Sequence, residues 1–284
     1  MSMPLPSIAA RLLTVSCMGF TSSLDKLARL VAEGSAPMSV LVSLIGADPM
    51  LTAQVLGQAN SSSTSDISQL TAAMSHLGLG SVHGLVRTSM PIPTALRKDL
   101  ASCWTLANAC ATMTRVLATY CGPTLSAKSD TETLHAAGLL HDLGTIVAHI
   151  HFPNEYARAI HRLDERGANL GRLLREELGT DQVALGTLLA SYWRLPPQIT
   201  ACIRYHQSPM ETDSFHETVA LVHVARGLVR ACGFVAGADR FLDPMDEDAM
   251  ALLKIRVGDA ERILELFYDQ MEELELYEGV LMPT

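Results

Sequence analysis

Apolar residues recur every three or four positions along most of the chain, which is the spacing of one face of an α-helix. Leu24, Leu27 and Leu30 show this spacing near the N-terminus, and Leu51 and Val55 continue it further along. No stretch of useful length alternates apolar and polar residues as a half-buried strand does. The pattern therefore predicts an all-α fold.

Capping and turn residues divide the pattern into separate predicted helices. Asp48 followed by Pro49 indicates a helix start, because Asp caps helix N-termini and Pro suits the first helical position. Ser129 and Glu132 have the spacing of a capping box, and Gly78 follows a helix that it would end. The predicted helices cover approximately residues 22–33, 48–59, 67–77, 94–120, 129–141, 170–178, 181–192, 197–206, 215–232 and 259–277, and one more opens at Pro153.

Two breaks bear on the organisation of the chain. The glycine-rich run 78–84 has His83 where a dinucleotide-binding loop needs its third glycine, so it is predicted as a turn between helices. Pro91 and Pro93 cannot sustain a helix and predict a linker. We therefore expect an N-terminal helical bundle (1–93) packed on a helical core (94–238), followed by an acidic helical extension (239–284).

Composition narrows the class of protein. Hydrophobic residues make up 48% of the 284 residues, enough to build a sizeable core. Residues 239–284 contain thirteen acidic and four basic residues, which equals the whole net charge of −9. Because no basic surface is indicated, nucleic acid is not an expected partner.

Targeting signals and cysteines give the expected compartment. No uncharged apolar stretch is long enough to span a membrane, and the N-terminus lacks the basic start of a secretory signal. The six cysteines form no C-x-x-C pair, which indicates free thiols in a reducing environment. A cytoplasmic protein without a membrane partner is therefore expected.

The candidate chemistry lies at residues 139–144, with the sequence LLHDLG. His141 and Asp142 place an imidazole and a carboxylate next to each other, where both can reach one cation. Other short motifs surround the pair in the chain. They are Leu5-Pro6, residues 48–52 (DPMLT), 59–61 (ANS), 76–78 (HLG), 152–156 (FPNEY), 193–196 (WRLP), 205–206 (YH) and 222–225 (VHVA).

In their order, these motifs resemble the HDOD family, the HD-related output domain proteins of bacterial signalling. The resemblance covers approximately residues 5–230, and it implies a helical core of the HD type. Hydrolases of the HD superfamily bind a metal through a His, the His-Asp pair and a later Asp. By this resemblance the first His falls at Leu106 and the last Asp at Arg226.

These two replacements argue against a catalytic metal site. Leu106 has no donor atom, and Arg226 remains positively charged and repels a cation. His141 and Asp142 alone do not provide the three protein ligands that a catalytic ion usually takes. We therefore predict a degenerate HD-type site with no catalytic residue, no bound metal and no cofactor.

Other interpretations of the site stay open. His141 and Asp142 can serve only as a hydrogen-bonded polar pair at a helix end. A different metal site is also conceivable, with His206 as its best additional ligand. The remaining candidate histidines are His135, His149, His151, His161 and His223.

The sequence thus predicts a non-catalytic signal-transduction module that acts through contacts with unidentified signalling proteins. Its oligomeric state is left open, as is the choice between a stand-alone regulator and the output part of a longer protein. The alternatives are a residual metal-dependent phosphohydrolase using His141, Asp142 and His206, and a module that binds a nucleotide second messenger without hydrolysing it.

Three further predictions concern charged residues. Arg226 is expected to pair with Asp142, because a buried carboxylate without a counter-charge is costly. The helix 259–277 combines an apolar stripe that includes Ile263 and Phe267 with many carboxylates, and its acidic sides are predicted to dock a partner. Arg158, Arg162 and Arg166 step along one helix face and predict an ion-paired surface.

Overall fold

The chain folds into a set of packed helices, as the apolar pattern predicts. The computed structural model describes residues 8, 10–11, 18–19, 21–33, 36–122, 125, 130–163, 165, 169–237 and 239–278, with side chains at 18–19, 21–23, 31–32 and beyond 272 outside this description. The helices are α1 (Thr21–Glu33), α2 (Met38–Gly46), α3 (Pro49–Ser62), α4 (Leu70–Thr88), α5 (Arg97–Cys121), α6 (Thr131–Leu140), α7 (Leu143–His151), α8 (Pro153–His161), α9 (Leu170–Leu178), α10 (Gln182–Tyr192), α11 (Pro197–Tyr205), α12 (His216–Ala231), α13 (Glu247–Leu253) and α14 (Ala260–Glu278).

Most predicted helices are confirmed, but the run 78–84 is not the predicted turn. Gly78 does break the helix, since its φ of 74° and ψ of 155° are not helical. The chain resumes a helical course immediately afterwards, so most of the glycine-rich run lies in the second half of α4. Glycine is unfavourable inside a helix but does not prevent one when neighbouring residues pack well.

Helix starts were only partly predictable from the sequence. The side chain of Asp130, rather than that of Ser129, caps α6 by accepting hydrogen bonds from the amides of Glu132 and Thr133. Ser129 itself lies outside the described residues, as do Leu5 and Pro6. The short helices α2, α7 and α13 were not among the predicted helices.

The predicted linker is partly tied to the N-terminal segment. β1 (Met18–Gly19) pairs in parallel with β2 (Met90–Pro91) through two residues on each side. Single-turn 3₁₀ helices occur at Thr94–Leu96, Pro209–Glu211 and Val257–Asp259. One hydrophobic cluster reaches from the N-terminal helices to Phe267 in α14, so the core continues across both proposed domain boundaries, which remain predictions.

Helix α5 lies at the centre of the core. It packs against α6, α12 and α14, and many of its buried positions are small residues such as Ala107, Cys110 and Ala111. Small side chains allow neighbouring helices to approach α5 closely. This arrangement places the chain around Leu106 beside the end of α6, where the His-Asp pair lies.

Polar side chains of the core hold the corner between α2 and α3. Asn108 on α5 donates a 2.9 Å hydrogen bond to the carbonyl oxygen of Ala47. His135 on α6 lies 3.0 Å from the carbonyl oxygen of Gly46 through its Nε2 atom. The carboxylate of Glu132 accepts hydrogen bonds from the backbone amide and the hydroxyl of Thr71 on α4. These bonds join the N-terminal bundle to α5 and α6.

Asp48 caps α3 at this junction, as predicted. One carboxylate oxygen accepts hydrogen bonds from the amides of Met50 and Leu51, at 2.9 and 3.0 Å. The side chain is only 4% exposed. Burial raises the pKa of Asp48 to about 6, against the lowering effect of hydrogen bonds from these amides and from the Trp104 side chain.

Replacing Asp48 by Asn is expected to flatten the pH dependence of stability between pH 4 and 6. A carboxyl whose pKa is raised in the folded state stabilises the fold most when protonated, and this contribution is lost as the pH rises through about 6. The shift corresponds to about 3 kcal/mol between the two ends of that range. Urea unfolding at several pH values measures the difference between the variant and the parent protein.

The exposed helix cap Asp130 provides a matched control, since it also accepts two backbone hydrogen bonds. Asp130→Asn gives the effect of the same substitution at an exposed cap. A profile for Asp48→Asn that runs parallel to that of the parent protein would contradict the assignment of this pH dependence to Asp48.

Two further features agree with the sequence. Among the described residues, no single helix has both the length and the apolar character to cross a membrane, although the strongly bent pair α2 and α3 passes that test jointly. The described cysteines are free thiols: Cys103, Cys110, Cys121 and Cys202 are buried, and Cys232 is half-buried.

Candidate functional site

The His-Asp pair occupies the corner between α6 and α7. His141 directly follows the last residue of α6, and Asp142 directly precedes α7. The Asp142 side chain does not cap the backbone of α7. One of its oxygens instead accepts a 2.6 Å hydrogen bond from the hydroxyl of Thr145. Thr145 on α7 therefore holds the Asp142 carboxylate beside His141.

The corner is fixed by close packing of α7 against α10. Gly144 on α7 lies so near the backbone of α10 that an added Cβ would be 1.7 Å from the carbonyl oxygen of Gln182. Gly186 faces it, where an added Cβ would lie 3.0 Å from the amide nitrogen of Gly144. This close crossing of α7 and α10 explains why the LLHDLG motif ends in glycine.

His141 and His206 lie together in the core. Their ring centroids are 5.1 Å apart with the planes nearly perpendicular, and both side chains are about 1% exposed. Each Nδ1 contacts a backbone carbonyl oxygen, that of Gly138 at 2.7 Å and that of Ile203 at 3.0 Å. A carbonyl oxygen only accepts, so each Nδ1 carries the proton and each Nε2 presents a lone pair.

Both rings are neutral in this environment. Burial lowers the pKa of His141 to about 4, although the charge of Asp142 acts in the opposite direction. Burial, His141 and Arg226 hold the pKa of His206 well below its usual range. Neither Nε2 atom has a hydrogen-bond partner among the described residues. The structure thus places His206 next to His141.

Leu106 lies where the resemblance places the first metal-binding His. Its side chain is buried and lines a cavity of about 10 Å³ together with His141 and Asp142. Cys103 from α5 and Ala236 from the segment after α12 complete part of this wall. Three of the four positions that bind metal in the related hydrolases therefore surround one small cavity.

Arg226, the fourth position, does not form the predicted ion pair with Asp142. Its guanidinium donates a hydrogen bond to the carboxylate of Asp243, and no ion pair joins it to Asp142 within the described part of the chain. The negative charge of Asp142 still acts on it. Burial tends to lower the pKa of Arg226, but Asp243 and Asp142 together keep it above its usual value.

Arg226 belongs to a row of α12 residues that holds the segment 239–246, which we call the strap. Arg230 donates hydrogen bonds to the carbonyl oxygens of Asp239 and Phe241 and forms a 3.2 Å ion pair with the carboxylate of Asp239. His223 accepts a 2.9 Å hydrogen bond from the amide of Asp246 through Nε2. The position that the resemblance assigns to the last Asp thus takes part in the attachment of the C-terminal extension.

This donor set does not fit a catalytic metal ion. The lone pairs of His141 and His206 are oriented by carbonyl contacts, as they are in many metal-binding histidines. However, no group of three or more His, Cys, Asp or Glu side chains is placed to hold a metal among the residues that the structure describes. The charge of Arg226 also reaches both histidines and opposes a cation there.

The other candidate histidines do not complete such a site. His223 uses both ring nitrogens in hydrogen bonds with the backbone of His206 and Asp246. His135 contacts Gly46 at the junction with the N-terminal bundle, and His149 stacks on Tyr156 at 4.3 Å. The alternative ligands named from the sequence are therefore dispersed or already occupied.

The arginine row on α8 forms the predicted ion-paired surface. Arg162 forms ion pairs with Glu165, Glu176 and Glu177, and Arg158 shares Glu177. Arg166, which was included in this prediction, lies outside the described residues. Because the charges of Arg158 and Arg162 are neutralised by these glutamates, the described arginines of this row offer no free cation to an anion.

The family model of the HDOD domain matches residues 19–209, about two thirds of the chain. The chain belongs to the HDOD family. No curated protein matches it significantly. This match and the helical fold confirm the resemblance drawn from the LLHDLG motif and its neighbours.

Solved structures share the fold at low sequence identity. The MmoQ response regulator from Methylococcus capsulatus str. Bath has a TM-score of 0.67 and 19% identity, covering 89% of this chain and 99% of that chain. A virulence factor from Campylobacter jejuni subsp. jejuni has a TM-score of 0.65 and 19% identity, with 94% and 98% covered. An HDOD domain protein of unknown function from Geobacter sulfurreducens gives 0.56 and 18%, with 98% of both chains covered.

Sequence reasoning missed two parts of the site. The strap was treated only as the start of an acidic extension, although Asp239 and Asp243 have the four-residue spacing of Arg226 and Arg230. Tyr156 belongs to the FPNEY motif, which does not indicate that its hydroxyl is buried. Neither feature was visible in the sequence, because both depend on how distant segments fold back onto α5 and α12.

Proposed function

We propose that this HDOD protein is a non-catalytic signalling or regulatory module that acts through contacts with other proteins in the cytoplasm. The observation that carries the proposal is the ion pair between Arg226 and Asp243 at a position where related hydrolases have a metal ligand. The naming of the similarly folded MmoQ protein as a response regulator supports a role of the same class.

The chemistry of the site supports the absence of catalysis. Metal-dependent hydrolysis of a phosphoester requires an ion that lowers the pKa of its bound water and polarises the phosphoryl oxygen. His141 and His206 offer two neutral nitrogens, Leu106 offers no donor, and Arg226 adds a positive charge. A residual phosphohydrolase is therefore the weaker candidate, and we assign no catalytic residue, metal or cofactor.

A nucleotide second messenger is also a weaker candidate. The cavity beside His141 has about the volume that one water molecule needs. The Arg158 and Arg162 side chains are already paired with glutamates. Neither the cavity nor the two arginines show a feature that would favour a bound phosphate over the carboxylates that are already there.

The partner surface that we propose is the outer face of α14. Ile263 and Phe267 are fully buried and attach the helix to the core, which confirms that the apolar stripe is used for packing. The exposed side carries mainly carboxylates. The described and exposed acidic side chains are Glu261, Glu265, Asp269 and Glu272. A partner with a basic surface is favoured by this charge.

Reversing the charge of this acidic face is expected to weaken capture of the native partner at least tenfold at physiological salt. The opposite charge replaces attraction by repulsion and slows association with a basic surface. The variant carries Glu261→Lys, Glu265→Lys, Asp269→Lys and Glu272→Lys. Tagged parent and variant proteins are used to capture proteins from the host of origin, and the captured proteins are compared by quantitative mass spectrometry.

A control variant places the same kind of change elsewhere on the surface. Asp66→Lys, Glu211→Lys and Asp213→Lys alter exposed acidic side chains away from α14. The control is expected to retain the partner. If both variants capture the same proteins as the parent protein while remaining folded, α14 is not the docking surface.

A further inference from the structure

We propose that the cavity at the former metal position is a binding site for one internal water molecule. The water would donate hydrogen bonds to Nε2 of His141 and to a carboxylate oxygen of Asp142, and it would accept one from the hydroxyl of Tyr156. This inference goes beyond the proposed signalling role and concerns what replaced the metal ion inside the fold.

The space and its lining suit a water molecule. The cavity has a volume of about 10 Å³, close to the minimum that holds one water. Apolar side chains such as Leu106 and Leu139 form part of the wall, while His141 and Asp142 supply polar atoms. An internal water needs two to four polar partners, and a wall of Leu and Ala alone would favour a dry cavity.

Two hydrogen-bond acceptors face this space with capacity to spare. Nε2 of His141 carries a lone pair, because Nδ1 donates its proton to Gly138, and it has no partner among the described residues. Asp142 uses one oxygen for the hydroxyl of Thr145, and the other has no hydrogen bond to a described residue. A buried acceptor without a partner is costly, whereas a water can donate to both atoms.

Tyr156 provides the matching donor. Its side chain is 3% exposed, and its hydroxyl has no hydrogen-bond partner within the described part of the chain. Its hydroxyl lies close to Gly237, the residue that follows Ala236 of the cavity wall, since an added Cβ on Gly237 would be 3.8 Å from it. Burial raises the pKa of Tyr156 well above its usual range, with the charges of Cys103 and Asp142 acting in the same direction. The phenol thus keeps its proton to donate.

One water would therefore serve three polar groups from two parts of the fold. It joins the His-Asp corner to α8, which carries Tyr156, beside the segment that carries Ala236. A divalent ion would instead require further anionic ligands, which Leu106 and Arg226 do not supply. Two acceptors and one donor at the site match a neutral molecule that donates two hydrogen bonds and accepts one.

A high-resolution crystal structure of the full chain tests the proposal. We expect one density peak without anomalous signal, within about 3.2 Å of His141 Nε2, an Asp142 oxygen and the Tyr156 hydroxyl. A cavity without density would overturn the proposal while leaving the signalling role intact. A peak with the anomalous signal of a transition metal would overturn both.

A second measurement follows the water in solution. Oxygen-17 magnetic relaxation dispersion counts water molecules with long residence times, and Tyr156→Phe is expected to lose one of them and to lower Tm. Tyr192→Phe removes a hydroxyl from a side chain that is 51% exposed and is expected to change neither quantity. An unchanged relaxation dispersion for a folded Tyr156→Phe variant would contradict the role given to this hydroxyl.

Discussion

Gly144→Ala is expected to destabilise the protein by more than about 3 kcal/mol, the upper end of ordinary overpacking, and to prevent folding at moderate temperature. The added Cβ would lie 1.7 Å from the carbonyl oxygen of Gln182 and 2.7 Å from the amide nitrogen of Gly186. Both atoms belong to the backbone of α10, so no side-chain rotation relieves the clash. α7 and α10 would have to separate, which would also displace the His-Asp corner. Urea unfolding and the yield of soluble protein measure the effect.

Gly84→Ala is the matched control for this substitution. Gly84 also lies inside a helix, but an added Cβ there meets nothing within 4 Å. Because Ala is the better helix former, this variant is expected to be unchanged or stabilised by up to about 1 kcal/mol. If the Gly144 and Gly84 variants are equally stable, α7 and α10 do not cross as closely as described.

Asp243→Asn is expected to cost about 3–5 kcal/mol, because it leaves a buried guanidinium without its counter-charge. The Arg226 side chain is 8% exposed, whereas that of Asp243 is 27% exposed and can regain water. Arg226→Met should therefore cost less than Asp243→Asn, about 1–3 kcal/mol. The double variant should be more stable than the sum of the two single effects implies.

The exposed pair formed by Arg262 and Glu265 gives the comparison. Their side chains are 65% and 56% exposed, so Glu265→Gln is expected to change stability by less than about 0.5 kcal/mol. Denaturant unfolding of all four variants gives the coupling energy of the buried pair directly. If Asp243→Asn proves as mild as Glu265→Gln, the strap does not depend on Arg226.

The helical fold was predictable because it follows from local patterns. Apolar spacing and capping residues such as Asp48 act within one or two helical turns, so most helices were located from sequence. The error at 78–84 arose because glycines were interpreted as turn residues, while Gly78 alone adopts the left-handed φ that breaks the helix. Packing of the flanking residues determines the rest of that segment.

The site was predictable only in part. The family motifs located His141, Asp142, Leu106 and Arg226, and the proximity of His206 was also expected from the resemblance. The partner of Arg226 was predicted wrongly, because a sequence does not show that Asp243 folds back onto α12. Which carboxylate pairs with Arg226 depends on tertiary structure.

Metal content is the most direct test of the central claim, that the HD-type site has lost its metal and become a packed junction. The full chain is purified without chelators after growth with added Mn, Fe, Zn and Ni, and elemental analysis is combined with a phosphodiesterase assay. We expect no stoichiometric metal and no activity, in both the parent protein and a His141→Ala variant. About one metal ion per chain, as a catalytic site would hold, together with activity that His141→Ala abolishes, would contradict the account.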